Sequence, residues 1–303
     1  MNLEKILSGN RSTQIDLADD RSLRAVWVNL RYAGRPCFSM QLLQEVHAAQ
    51  QLIRQTALAG YEHDRDNRLL FQVTASADAR VFNLGGDLPY FIELIEAGDR
   101  EGLRRYARSC IDIQYASITH YGIPFTTIAL VQGEALGGGF EAALSNTLLV
   151  AERGARFGFP EITFGMFPGM GALSLLMRKI TPSAARRLMM DNRIYTGEEL
   201  YELGVVDVLA PDGGGREAVR DYMRRHVALA PGLHGFQAAV DRCLPVSYEE
   251  LADVVDQWVE SALQLSSRNR RLMAYFARAQ ERRFGAGTDG AKLRDDTTGL
   301  NTG

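Results

Sequence analysis

The chain has 303 residues, 46% of them apolar and 23% charged, with a formal net charge of −3. This is the balance of a folded globular chain long enough to bury a core without covalent staples, and it excludes a disordered one. The slight acidic excess argues against a general nucleic-acid binder, and the three scattered cysteines (Cys37, Cys110, Cys243) make neither a disulfide framework nor a metal-ligand spacing.

In chain order, residues 1–20 are polar and mixed and read as a flexible leader. The alternation over 23–30 predicts a strand of an antiparallel layer. Gly34-Arg35-Pro36 marks a turn, and Ser39 is placed to cap a helix carried by Leu42, Leu43, Val46, Leu52 and Ile53. Residues 61–67 read as a charged loop before an apolar strand at 69–73. The segment Phe82-Asn83-Leu84-Gly85-Gly86-Asp87 precedes a mostly helical stretch, 88–121, with Asp87 expected to cap its first helix. A buried strand at 126–131 runs into Gln132-Gly133-Glu134-Ala135-Leu136-Gly137-Gly138-Gly139-Phe140-Glu141, a glycine run opening an Ala-rich helix. A short strand at 148–151 and Phe157-Gly158-Phe159-Pro160-Glu161 follow.

Strand, glycine loop and helix recur in that order, which predicts an α/β chain with a largely parallel sheet. Beyond Pro182 strands are expected almost to vanish, leaving helices over 184–190, 197–203, 216–230 and 249–283. The expected organisation is a core over 21–210, a helical region over 211–285 and a disordered tail over 286–303.

Glycines between a strand and a helix let a ligand lie against backbone, with the helix's free N–H groups aimed at it. Neither a P-loop nor a G-x-G-x-x-G fingerprint is present, so phosphate recognition is not favoured. The pair Gly85-Gly86 and the run at 137–139 can each supply one N–H to a single carbonyl oxygen, the arrangement of an oxyanion hole; a tight turn required only for packing is the alternative. Glu141, one turn into its helix, and Glu161, framed by Phe157, Phe159, Phe164 and Phe167, can divide into an acid and a base if both are buried. The five histidines show no metal spacing, and no nucleophile motif is present.

These three segments, with Phe167-Pro168-Gly169-Met170-Gly171, resemble the crotonase (enoyl-CoA hydratase/isomerase) superfamily over about residues 80–210. Within it the chain is similar to the diffusible-signal-factor synthases, through FNLGGDL, ALGGGFEAALS, FPGMGA and the charged stretch from Ser267 to Met273. One departure is Ala172, where hydratases usually carry a second glycine. The resemblance implies a crotonase-type ββα-superhelix core with a helical C-terminal trimerisation region. It implies oxyanion donors at Gly86 (or Gly85) and Gly138, and Glu141 and Glu161 as the two catalytic glutamates.

The implied reaction is dehydration of a 3-hydroxyacyl thioester on acyl carrier protein, followed by hydrolysis to a cis-2-unsaturated fatty acid signal. An enoyl-CoA hydratase acting on acyl-CoA and a non-catalytic scaffold that binds a regulator are the alternatives. Leu136, Met170, Trp258 and Phe276 are candidates for the acyl pocket, plain core packing being the other reading. Arg268, Arg270 and Arg271 are expected in solvent or facing an acidic partner. No metal or cofactor is implied beyond the substrate's phosphopantetheine, on the carrier protein or CoA. The expected partners are that thioester, a sensor or regulator protein and two or five further copies of the chain, with no nucleic acid. No apolar run reaches 18 residues and 1–10 hold no signal region, so a cytoplasmic location without a membrane is expected.

Overall fold

The structure, a computed structural model, describes residues 12–63 and 68–284. Strand β1 (Ile15–Asp20) folds back antiparallel onto β2 (Ala25–Leu30) through a tight turn in which the Asp20 carboxylate accepts the Leu23 N–H. The last six residues of the expected leader are therefore sheet. Its mixed composition hid an edge strand with Ile15 buried and mostly polar residues outward, as edge strands require. Residues 1–11 and the tail expected at 286–303 lie outside the described residues.

Helix α1 (Met40–His63) starts where Ser39 Oγ accepts the Leu42 N–H, 3.2 Å. It carries on through 61–63, where the charged pattern predicts a loop; 64–67 lie outside the described residues. After it come β3 (Phe71–Ser76), β4 (Val81–Asn83), α2 (Leu88–Glu96), α3 (Arg100–Ile118), β5 (Thr126–Val131), β6 (Glu134–Leu136), α4 (Gly138–Leu144), β7 (Leu148–Glu152) and β8 (Arg156–Gly158). Helices α5 (Ala172–Lys179) and α6 (Pro182–Met190), strand β9 (Tyr195–Thr196), helix α7 (Gly197–Glu202) and strand β10 (Val208–Ala210) complete the core.

The strands sort into two sheets. The larger runs β1-β2-β3-β5-β7-β10, parallel except for β1, and the smaller runs β4-β6-β8-β9, parallel except for β9. Consecutive strands alternate between sheets: β3 and β4, then β5 and β6, then β7 and β8. Each such pair is followed by helical chain, so the core is a stack of ββα turns. Strands β2 and β5 are buried along their whole length, as parallel strands covered on both faces must be. Helices α1 and α3 pack on one face, and α8 (Gly215–His226) sets Val219 and Met223 against Trp27, Phe71 and Val73 on the other.

The helical C-terminal region differs from expectation in two places. Helix α9 (Ala230–Cys243) falls where no helix was expected, because Pro231, Gly232 and Gly235 depress the pattern; the proline sits in the first turn, where its missing N–H costs nothing. The single helix expected over 249–283 is two, α10 (Tyr248–Leu263) and α11 (Ser267–Phe284). The break comes where Ser266 Oγ accepts the Asn269 N–H at 3.2 Å, a capping bond that starts a new helix.

Candidate active site

Three adjacent parallel strands, β4, β6 and β8, end side by side, with Asn83 paired to Ala135 and Leu136 to Gly158. The chain leaving each therefore emerges at one edge: Leu84-Gly85-Gly86, then Gly137-Gly138, then Phe159-Pro160-Glu161. Carboxyl ends of parallel strands, where loops converge, are where α/β proteins bind ligands.

Two peptide groups at this edge are clamped by their carbonyls. Gly85 C=O accepts the Phe38 N–H at 2.8 Å, and Gly137 C=O accepts the N–H groups of Phe140 and Glu141 at 2.9 and 3.0 Å. In a trans peptide the N–H points opposite to the C=O, so the N–H groups of Gly86 and Gly138 are aimed away from those partners. Both residues line one cavity. The first loop is held further by Asn83, which is fully buried. Its Oδ1 accepts the Gly85 N–H at 2.7 Å and its Nδ2 donates to Tyr32 Oη at 3.2 Å, while the Tyr32 hydroxyl donates to Phe82 C=O. Two glycines are demanded by space. A Cβ on Gly139 would strike the Asn83 carbonyl, and one on Gly137, where φ is +52°, would strike Glu161 Oε1.

Glu141 is 1% exposed, and its Oε1 accepts two N–H groups, from Met170 at 2.8 Å and Ala172 at 3.0 Å, at the start of α5. Burial pushes its pKa up to about 7, and those two donors hold it from rising further. Glu161 is half-buried as a residue, yet its Oε2 is sealed from solvent with no hydrogen-bond partner. Burial, and after it the charge of Glu141, pushes its pKa up to about 8. When one proton is shared by the pair, it resides on Glu161 and the charge on Glu141, where peptide donors and the positive end of α5 meet it.

The cavity holds about 690 Å³ of empty space including its mouth. Besides the four residues above, its walls include Phe91, Tyr106, Met170, Trp258, Met273 and Phe276. Helix α11 forms one wall; Gln280 Nε2 reaches Leu84 C=O at 3.4 Å, and Arg283 pairs with the buried Glu134 at 2.8 Å.

A family model described as enoyl-CoA hydratase/isomerase matches residues 57–240, more than half of the chain. The chain belongs to the enoyl-CoA hydratase/isomerase family. Mevalonyl-coenzyme A hydratase SIDH of Beauveria bassiana is 41% identical over 87 residues, covering 29% of this chain and 31% of that protein. The probable enoyl-CoA hydratase echA17 of Mycobacterium avium is 33% identical over 133 residues, 44% of this chain and 49% of that protein. The chain thus matches half or less of the length of these curated relatives. An enoyl-CoA hydratase structure from Bacillus halodurans superposes with a TM-score of 0.71 at 20% identity, covering 87% of this chain and all of that one, a likeness of fold.

On this hydratase/isomerase frame the structure brings Gly86, Gly138, Glu141, Glu161, Met170, Trp258 and Phe276 to one cavity. Gly85 and Leu136 are not among its walls. Gly85 has its N–H engaged by Asn83; the chain turns at Gly137 so that the Leu136 carbonyl, not its side chain, lies against the first loop. Phe157 and Phe159 do not frame Glu161. They pack with Phe140 in a separate core, the Phe140 and Phe159 rings stacked at 4.9 Å, while Phe164 and Phe167 line the cavity. Asp87 precedes α2 without capping it, and pairs with Arg35 instead. Arg268 and Arg271 are exposed, whereas Arg270 is half-buried and donates to Leu265 C=O at 2.7 Å.

Sequence reasoning missed Tyr32, Asn83, Tyr106 and Gln114. Of these, Gln114 had a visible signal: it is a polar residue on the apolar stripe of α3 that carries Leu103, Tyr106, Cys110 and Ile111. Among the described residues no group of three or more His, Cys, Asp or Glu side chains could hold a metal ion. Nor is any described helix long and apolar enough to cross a membrane.

Proposed function

We propose that this family member interconverts 2-enoyl and 3-hydroxyacyl thioesters by adding or removing water, with coenzyme A as the carrier. One observation carries the reading: two carboxylates, one held by two peptide donors and the other with a sealed, unpartnered oxygen, line one cavity with a pair of inward peptide N–H groups. The thioester C1 oxygen accepts from Gly86 and Gly138. Glu141, ionised, takes a proton from water as the water oxygen bonds to C3. The electrons of the C2–C3 double bond move toward C1, and the N–H pair stabilises the enolate oxygen. Glu161, neutral, delivers its proton to C2. Glu141 ends protonated and Glu161 ionised, and one proton passing between them restores the start. Dehydration is the same path reversed.

Met170, Trp258 and Phe276 serve the acyl chain. Gly86 rather than Gly85 is the first donor, since the Gly85 N–H already has an acceptor.

A second reading is favoured by the FNLGGDL, ALGGGFEAALS and FPGMGA segments and by the charged helix α11. In it the substrate is a 3-hydroxyacyl group on acyl carrier protein, and water then attacks C1 in the same N–H pair, expelling the thiol and releasing a cis-2-enoic acid as a signal. A trimer or hexamer, an acidic carrier docking near α11, a regulator partner and a cytoplasmic setting belong to that reading.

Mass spectrometry of products from one 3-hydroxyacyl group, presented on CoA and on carrier protein, tests both. Enoyl-CoA without free acid supports the first reading, and free cis-2-enoic acid from the carrier-protein substrate alone replaces it with the second. No product from either carrier overturns both.

A further inference from the structure

Behind the catalytic cavity lies an inner one, between the large sheet and helices α1, α3 and α4. Its walls include Ala49 and Gln50 of α1, Gln114 and Ser117 of α3, and Ser145 and Asn146 just beyond α4. Phe38 and Gln114 line both cavities and so form a shared wall.

Three amide oxygens of the inner walls, Gln50 Oε1, Gln114 Oε1 and Asn146 Oδ1, are sealed from solvent and accept no hydrogen bond. Gln50 and Gln114 are only 8% and 3% exposed. Rotating the amides does not mend this for two of them. Gln50 Nε2 donates to Ile113 C=O at 2.8 Å and Asn146 Nδ2 to Ala142 C=O at 2.9 Å, so a flip would set carbonyl against carbonyl. Buried acceptors of this kind call for a donor, and in a small cavity with several polar groups that donor is water.

The position matters as much as the chemistry. Gln114 Oε1 lies against Gly171, 2.9 Å from where a Cβ would stand, and Gly171 is the residue between the two N–H donors that hold Glu141. Phe38 and Gln114 alone are shared by the linings of the two cavities, which puts the Gln114 amide at their boundary.

We propose that the inner cavity binds water and that Gln114 passes it to Glu141 as the co-substrate of hydration, or receives it on dehydration. This rests on the hydratase reading above. The test uses three purified proteins: wild type, Ala49→Leu, which fills the cavity with apolar volume from α1, and Gln114→Met, which keeps volume and removes the carbonyl. Long-lived internal waters are counted by oxygen-17 magnetic relaxation dispersion, and hydration and dehydration of one CoA thioester are followed in both directions.

Ala49→Leu is expected to lose about one or two such waters and about tenfold in kcat in both directions, with KM for the thioester unchanged. Gln114→Met is expected to show at least the same loss of kcat. Should Ala49→Leu not fold, Gln50→Met removes one of the three acceptors and carries the same expectation. A folded cavity variant with an unchanged water count overturns the site. Lost waters with kcat intact overturn the supply role. A wild type that holds the waters but turns over no thioester overturns the hydratase reading instead.

Discussion

Beyond the carboxyl ends of both sheets a buried glutamate meets peptide N–H groups, and the two meetings differ in how completely the charge is compensated. Glu152, closing β7 of the large sheet, accepts the Gly213 N–H at 2.8 Å, the Gly215 N–H at 3.0 Å and Gln132 Nε2 at 2.8 Å, over both of its oxygens. That carboxylate ties the entry of α8 to the sheet. At the edge of the small sheet, Glu141 receives two donors on Oε1 alone, and Glu161 Oε2 receives none. Peptide N–H groups are present at both edges, but at the second those of Gly86 and Gly138 are turned to the cavity. Burial of a carboxylate becomes chemistry where its compensation is left incomplete, because an unsatisfied group gains most from a partner that arrives with substrate.

The comparison breaks most directly at the glutamates. Glu161→Gln or Glu141→Gln is expected to lower kcat about 10³-fold, within the range for general acid–base groups, while thermal unfolding shows the fold retained. Turnover near the wild-type rate in either variant would remove that side chain from the reaction. Gly138→Pro comes next. It deletes one N–H at the first position of α4, where proline is tolerated, and a Cβ there has only 3.5 Å contacts with the Gly85 loop. About a 10²-fold loss of kcat is expected, and a folded variant with full activity would leave the N–H pair without a role.

The pH profile follows in size. The proposed hydration uses Glu141 ionised and Glu161 neutral, so kcat/KM should fall below about pH 7 and above about pH 8. Stability carries the same signature. Both groups bind protons more tightly folded than at the ordinary carboxylate value of 4.5, so their contribution is complete below about pH 4.5 and is lost as pH rises through about 8. Denaturant titrations should show this decline, and Glu161→Gln should flatten it. A slope unchanged in that variant would mean that Glu161 titrates normally.

Smaller effects sharpen the contrast. Asn83→Leu frees the first loop and is expected to cost about tenfold in kcat with KM retained, whereas Asn83→Asp, which keeps the acceptor for Gly85, should recover most of it. At the compensated edge the outcome should invert. Glu152→Ala leaves the buried Gly215 N–H unpaired and frees the exposed Gly213 turn, and is expected to cost about 1–3 kcal/mol of stability, read by urea unfolding, with kcat in the folded protein unchanged.

Much of this was legible along the chain. The strand over 126–131 stood out because a parallel strand buried on both faces is a continuous apolar run, and the glycine run before α4 because only glycine allows such close approach. Edge strand β1 was not legible, since one buried side in a mostly polar stretch resembles a loop. The break between α10 and α11 was missed because one serine interrupts an otherwise unbroken helical pattern. Around Glu161 only two of the four expected aromatic neighbours share its cavity: Phe157 and Phe159 turn to a different core from Phe164 and Phe167.

The sequence by itself determined the four apolar strands of the large sheet near 23–30, 69–73, 126–131 and 148–151, which turns need glycine, and that two glutamates stand beside such turns; these follow from local sterics and hydrophobic spacing within a few residues. Tertiary structure alone decided that the three turns end on adjacent strands of one small sheet, that Phe38 and Asn83 aim the first peptide group, and that Gln114 stands between two cavities. Such facts depend on residues far apart in the chain, Phe38 against Gly85 or Gln114 against Gly171. Their proximity is set by how the ββα turns stack, which no local pattern encodes.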